Sequence, residues 1–185
     1  MRAFVAVFPP LEVRREALSW AKRRSSDDRM RWTRPENVHL TLKFLGDVEA
    51  EAFSSIRAAL GEVCAQHVPF DAALAELGAF PSARRAKTLW IGAGEGSDRL
   101  RSLAADVDDA LAPLGFEREK RPYVPHLTSG RVRGRPLNFD LASGAGGMRF
   151  RVERVELMES TLAAEGATYR TVGDFALGGK PEDGG

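Results

Sequence analysis

Cysteine is nearly absent from this 185-residue chain, long apolar runs are lacking, and neither sign of charge prevails. The lone Cys64 can form no intramolecular disulfide and excludes a cysteine-rich zinc site. Falling in a helical pattern, it reads as a small buried apolar residue. Nothing approaches the ~20 apolar residues of a membrane span. The opening stretch "MRAFVAVFPP" has too short an apolar run, and no small-residue cleavage pattern, for a secretory signal. The expectation is a soluble, cytoplasmic protein. With 27 basic and 26 acidic side chains the net charge is +1, too little for a global grip on nucleic acid, so any such contact must be local. Phosphate-binding Walker loops and His-Glu-x-x-His spacing are also missing. "GAGEG" at 92–96 sits where a dinucleotide fingerprint would, but Ser97 occupies the position of its third glycine, and the stretch reads as a flexible turn. The length suffices to bury a core without metals or disulfides. No cofactor and no metal is expected.

What is present alternates between helix and strand. "AFVAVF" is a short β-prone run ended by Pro9-Pro10, and Leu11 to Arg24 repeats apolar residues at helical spacing. "SSDDR" is a turn, "MRW" a short strand, and "RPEN" a turn into a strand beginning at His39. A helix is predicted from about Ala50 to Gln66, with strands near Phe70 to Leu77 and Lys87 to Ile91. A second long helix runs from about Asp98 to Leu114, stopped by Gly115. Then come a strand from Tyr123 to Val132, a loop "SGAGG" at 143–147, a long alternating strand "FRVERVELMES", and a last strand near Tyr169 to Leu177. Residues 179–185 read as a disordered tail. Two portions of similar content point to a pseudo-symmetric α+β fold, one bilobal domain over residues 1–178.

Histidine is scarce, with three in all, yet two of them head the same tripeptide, His-Leu-Thr, at 39–41 and 126–128. In an extended strand His39 and Thr41 point to one face, ~7 Å apart, while Leu40, Leu42 and Phe44 point to the other. His126 and Thr128 repeat the arrangement. Two such strands facing each other across a cleft would surround one tetrahedral group with two imidazoles and two hydroxyls. Imidazole, with an unperturbed pKa of ~6.5, serves as acid or base near neutrality, and a pair can do both jobs in one turnover. A phosphodiester is the natural target: one histidine takes a proton from water, the other protonates the leaving oxygen, and the threonines bond the non-bridging oxygens. His67, at a helix end, lacks such a partner and reads as a C-terminal histidine interacting with the helix dipole.

At these residues the chain resembles the two-histidine (2H) phosphoesterases, and within them the bacterial and archaeal RNA 2′,3′-cyclic phosphodiesterases, once called 2′-5′ RNA ligases. The stretches that carry the resemblance are "MRAFVAVFPP", "RWTRPENVHLTLKFLGDV", "LGAFPSARRAKTLWIG", "RPYVPHLTSGRV" and "VELMESTLAAEGATYR". The resemblance implies a bilobal fold in which each lobe is an antiparallel sheet with flanking helices around a central cleft. It implies hydrolysis of a terminal 2′,3′-cyclic phosphate on RNA to a 2′-phosphate, with His39 as proton donor and His126 as proton acceptor. Thr41 and Thr128 complete the two HxTx motifs, and Arg131 matches a recurrent arginine able to bind substrate phosphate or to form a structural ion pair. The expected partners are RNA ends or nucleotides bearing a 2′,3′-cyclic phosphate, with no membrane and a monomeric enzyme. Ser129 departs from the family, which usually has an apolar residue there. A buried hydroxyl in that position is tolerable if it bonds the backbone. Reversible 2′-5′ ligation, which runs the same acid-base pair backwards, and a non-catalytic RNA-end binding module remain the alternatives.

Overall fold

The computed structural model describes residues 1–25, 27–141, 147–163 and 166–178. The strands are β1 (Arg2–Val7), β2 (Met30–Trp32), β3 (Leu40–Asp47), β4 (Phe70–Phe80), β5 (Thr88–Ala93), β6 (His126–Val132), β7 (Met148–Val152), β8 (Arg154–Ala163) and β9 (Gly166–Ala176). The helices are α1 (Leu11–Arg24), α2 (Ala52–Gln66) and α3 (Ser97–Leu111). All strand pairings are antiparallel, in the order β7-β4-β5-β6-β3-β1-β8-β9, with β2 added on β6.

This order divides the curled sheet at its middle. β9, β8, β1 and β3 form one lobe, and β6, β5, β4 and β7 form the other. The two HxTx strands are the innermost of each, joined by a single register pair, Leu40 with Leu127. The lobes are not successive halves of the chain, since the first draws its strands from both ends and the second from the middle. Helices cross over as well. α1 follows β1 but packs on β6 and β7, whereas α3 follows β5 and packs on α2 and β3. Each helix buries a stripe set by its apolar spacing: Leu100, Leu103, Ala104, Val107 and Leu111 on α3, and Phe53, Ile56, Leu60, Val63 and Cys64 on α2. Most of the buried side chains merge into one core that spans both lobes.

Several boundaries differ from the sequence-based expectation. His39 stands just before β3, and β6 begins at His126 rather than Tyr123. The expected single strand "FRVERVELMES" is two strands, broken at Glu153. Glu153 and Arg154 are adjacent polar residues that interrupt the alternation. β7 pairs with β4 at one extremity of the sheet, while β8 pairs with β1 and β9 near the other. Of the expected loop at 143–147 only Gly147 is described, with a positive φ of 58°. The expected tail at 179–185 lies outside the described residues.

Candidate active site

Simple strand alternation does not survive past either threonine. In β3, Ala6 pairs with Thr41 and Val5 with Lys43, so Leu42 is an extra, bulged residue. In β6, Trp90 pairs with Thr128 and Leu89 with Gly130, so Ser129 is the extra residue. The fourth position of each HxTx motif is therefore a β-bulge, which re-aims the side chains beyond it. Phe44, expected on the apolar back, instead lines the cleft at 68% exposure. Lys43 turns into the core, paired with Asp108 and donating to the Glu117 carbonyl at 2.7 Å. At the equivalent place in β6 the bulge brings Arg131 back to the cleft face. Ser129 is fully buried, and its hydroxyl donates to the Leu89 carbonyl at 3.0 Å, which satisfies the polar atom that the apolar surroundings would penalise.

His39, Thr41, His126 and Thr128 all line one cleft of about 770 Å³. The antiparallel Leu40–Leu127 pairing sets His39 on the side of Thr128, and Thr41 on the side of His126. Each imidazole is held in the same way. His39 Nδ1 lies 2.7 Å from the Asn37 carbonyl and His126 Nδ1 lies 2.6 Å from the Val124 carbonyl. A carbonyl only accepts, so each Nδ1 carries a hydrogen and each Nε2 is left for the cleft. The Asn37 carbonyl belongs to a short 3-10 turn whose other carbonyls, of Pro35 and Glu36, are gripped by Arg14 at 3.1 and 3.0 Å. His39 stacks on Phe4 at 4.8 Å and meets Phe8 and the edge of Tyr169. His126 sits against Phe80 and Trp90 at 5.1 and 5.5 Å. Gly78 makes room for that arrangement, because a Cβ there would lie 2.1 Å from the Trp90 ring.

This packing sets the electrostatics. Burial depresses the His39 pKa to about 4, aided by the positive charge of Arg14 and by His126, and against the hydrogen bond to Asn37. The His126 pKa is also lowered, first by burial and then by Arg131. Four arginines, Arg2, Arg31, Arg34 and Arg131, line the same cleft, and among the described residues no aspartate or glutamate does. Arg131 donates to the Thr88 hydroxyl at 3.1 Å and has no carboxylate partner among the described residues. Neither Thr41 nor Thr128 has a hydrogen-bond partner for its hydroxyl among the described residues. Imidazoles, hydroxyls and guanidiniums without a carboxylate form a set that attracts a phosphate and disfavours a divalent cation.

A family model described as "LigT like Phosphoesterase" matches residues 7–90 and 91–169, which places one HxTx motif in each segment. The chain belongs to the LigT-like phosphoesterases. It is 34% identical over 187 residues to an RNA 2′,3′-cyclic phosphodiesterase of Aquifex aeolicus, covering 97% of this chain and 98% of that one. It is 35% identical over 179 residues to the protein of the same name from Archaeoglobus fulgidus, covering 95% and 99%. Among solved structures it is similar to the protein TT0787 of Thermus thermophilus, with a TM-score of 0.85 at 28% identity over 97% of this chain and 99% of that one. Escherichia coli LigT complexed with 3′-AMP matches with a TM-score of 0.82 at 25% identity over 96% and 98%.

The remaining residues singled out in the sequence of this LigT-like phosphoesterase are placed elsewhere. His67 caps the C-terminus of α2 and its Nε2 lies 2.7 Å from Asp106 on α3, so its ring ties two helices together. Cys64 is buried, which pushes its thiol up to about 12. Of "GAGEG", Gly92 and Ala93 end β5, and only residues 94–96 turn into α3, with Gly96 at a φ of 78°. Of the basic residues around the second motif only Arg131 reaches the cleft, while Arg118 pairs with Asp109. Lys87 donates to the Gly134 carbonyl, away from the cleft. Sequence reasoning missed Arg2, Arg31 and Arg34 and the aromatic rings that seat the histidines. The alternation of Phe4, Ala6 and Phe8 against Ala3, Val5 and Val7 was the available signal for the latter, since β1 is apolar on both faces.

Proposed function

We propose that the chain hydrolyses the terminal 2′,3′-cyclic phosphate of RNA to a 2′-phosphate without a metal ion, with His39 as proton donor and His126 as proton acceptor. The observation that carries this reading is the meeting of both HxTx motifs, with both Nε2 atoms uncommitted, in one arginine-lined cleft with no carboxylate among its described residues. The names of the Aquifex and Archaeoglobus relatives and the binding of 3′-AMP by Escherichia coli LigT support it. His126 Nε2 takes a proton from water as the water oxygen bonds to phosphorus. Negative charge grows on the non-bridging oxygens, where the hydroxyls of Thr41 and Thr128 donate hydrogen bonds. The bond from phosphorus to the ribose 3′ oxygen breaks, and that oxygen receives the proton of His39 Nε2. A donor must be protonated, and burial opposes this in the free enzyme. The entering phosphate anion offsets that burial by stabilising an imidazolium beside it.

The test is incubation of an RNA oligonucleotide ending in a 2′,3′-cyclic phosphate, with excess chelator and with 5′-hydroxyl RNA present. The expected outcome is a 2′-phosphate end formed faster than any joined product. Bound but unchanged ends would establish a binding module, faster joining would establish a ligase, and loss of turnover with chelator would overturn metal independence.

A further inference from the structure

The bulge at Leu42 sends the next two side chains of β3 opposite ways, and both bear on a second pocket. Lys43 goes inward, buried, to its ion pair with Asp108 of α3. Its ammonium also donates to the Glu117 carbonyl at 2.7 Å, and the Asp108 carboxylate accepts from the Glu119 backbone N–H at 3.2 Å. The geometric effect is to pin residues 117–119 to β3. Residues 115–121 and, from β3, Phe44, Leu45 and Gly46 enclose a pocket of about 610 Å³. Phe44 goes outward. Its exposed ring lines both this pocket and the catalytic cleft, and it meets Phe4, the ring on which His39 stacks, at 6.2 Å. Phe116, half-buried, brings a second ring to the same pocket. The charged side chains of the wall are of both signs, Glu117 and Glu119 against Arg118, Lys120 and Arg121, and Arg118 is paired with Asp109. Such a wall offers donors and acceptors without the excess of cations that would select a phosphate. An aromatic surface beside mixed donors and acceptors suits a nucleobase, whose faces are π-systems and whose edges carry both.

We propose that Phe44 is the stacking platform for the base of the nucleotide on the 5′ side of the terminal one, with residues 117–121 facing the edge of that base. This rests on the phosphodiesterase reading of the cleft. A terminal nucleotide whose cyclic phosphate sits between the HxTx motifs occupies the cleft, and the RNA continues from it only through its 5′ oxygen. Phe44 lies three residues beyond Thr41 on β3, at the boundary of the two pockets, so it meets the chain as it leaves the first. Stacking tolerates any base, because every base has a π-face. The pocket is also pre-organised, since the Lys43–Asp108 pair fixes the wall relative to the strand that carries the ring.

The experiment compares kcat/KM for cytidine 2′,3′-cyclic phosphate, for a dinucleotide with adenosine on the 5′ side of the same terminal group, and for that dinucleotide with its adenine replaced by hydrogen. Wild type is expected to favour the complete dinucleotide over the base-less one by about fivefold or more, the scale of one base on one aromatic ring. Phe44→Ala should remove this preference and Phe44→Trp should keep it. Val68→Ala, which truncates a similarly exposed apolar side chain lining neither pocket, should leave it unaltered. Equal use of the two dinucleotides by wild type would overturn the platform, because any gain over the mononucleotide would then come from the internucleotide phosphate. A parallel loss on all three substrates in Phe44→Ala would overturn it as well, by showing that the ring only supports Phe4 and His39. Loss of the preference in Val68→Ala would do the same. If wild type hydrolyses none of the three, the phosphodiesterase reading falls. The platform is then judged by affinity for the 2′-phosphates of the two dinucleotides: tighter, Phe44-dependent binding of the one with the base upholds it, and equal binding overturns it.

Discussion

Leu40 and Leu127, the middle residues of the two His-Leu-Thr tripeptides, are register partners across the joint between the lobes. Both are completely buried in the shared core. The joint is thus made by the backs of the same tripeptides whose fronts carry the imidazoles and hydroxyls, and a shift of either strand by one residue would turn both sets around. Leu127→Ala is expected to cost about 2–5 kcal/mol, as for other buried leucines. Because the cavity opens directly behind His126 and Thr128, turnover should also fall in the fraction that remains folded. Chemical denaturation together with kcat at a temperature where the variant is folded checks both, and a variant of unchanged stability would refute the assignment of the joint.

The division of labour between ring and hydroxyl gives a graded series. His39→Ala and His126→Ala each remove a separate proton transfer and should each lower kcat by about 10²-fold or more. Thr41→Val and Thr128→Val each remove one hydrogen bond to a charged group, worth about 1.5–3 kcal/mol, and should lose less. Single-turnover rates on a cyclic-phosphate RNA provide the measurement. His67→Ala, whose ring faces Asp106 between two helices, is the reference for a histidine outside the cleft. Threonine variants that match it would show that the hydroxyls do not touch phosphate.

The pH dependence derives from the direction in which both histidines are shifted. Turnover needs one imidazole neutral and one charged, so kcat/KM, which reports the free enzyme, should be bell-shaped between two macroscopic values that belong to the pair. Both imidazoles are depressed below 6.5 in the free enzyme, so the bell should centre on the acid side of 6.5. In kcat, which reports the substrate complex, the alkaline limb should move to higher pH as bound phosphate favours imidazolium. A kcat/KM that rises steadily through alkaline pH would point instead to a hydroxide mechanism.

Much of this site was legible because His-x-Thr on a strand has a period, and the repeat of the tripeptide among so few histidines stands out from that period. What the alternation rule missed was Phe44, because a bulge shows no pattern of its own. Leu42 is as apolar as its neighbours, and its extra place in β3 is seen only from the register with β1. Arg31 was hidden for a related reason. Its position opposite Arg131 depends on which strand β2 joins, a long-range pairing that the three residues "MRW" do not encode. The split of the predicted long strand at Glu153 was visible in principle, as two adjacent polar residues break a strict alternation. The exchange of α1 and α3 between lobes was not, since an amphipathic helix specifies a buried face but not the sheet that covers it.

Acid should destabilise the folded protein through the same burial that tunes His39. Its folded pKa of about 4 lies below the unfolded value, so between about 6.5 and 4 the unfolded chain binds the extra proton. Stability is therefore present in full above about pH 6.5 and declines as pH falls to about 4, by roughly 3 kcal/mol from this group. His126 adds to the decline with the same sign. His39→Gln should flatten the dependence in that window. Inorganic phosphate should protect more at pH 5 than at pH 8, since it binds the protonated cleft better. Thermal midpoints across the pH series test this, and an unchanged slope in His39→Gln would show that the ring does not titrate with folding.

The proton state of His39 in the complex ties the donor assignment to the product. In-line attack places water opposite the leaving oxygen, so the oxygen beside the charged imidazole is the one released. Burial holds His39 near pKa 4 in the free enzyme. For His39 to donate, binding must raise its pKa past the working pH while His126 remains neutral. Titration of the two imidazoles by NMR, with and without a nucleoside 2′-phosphate, is expected to show His39 moving upward by more than His126. The product of cyclic-phosphate hydrolysis, identified by phosphorus NMR against authentic isomers, is expected to be the 2′-phosphate. A His39 that stays neutral in the complex while His126 charges would exchange the two roles, and the oxygen released would then be the one that lies beside His126. Concordance of the two experiments, donor by titration and isomer by phosphorus NMR, is what the proposed geometry requires.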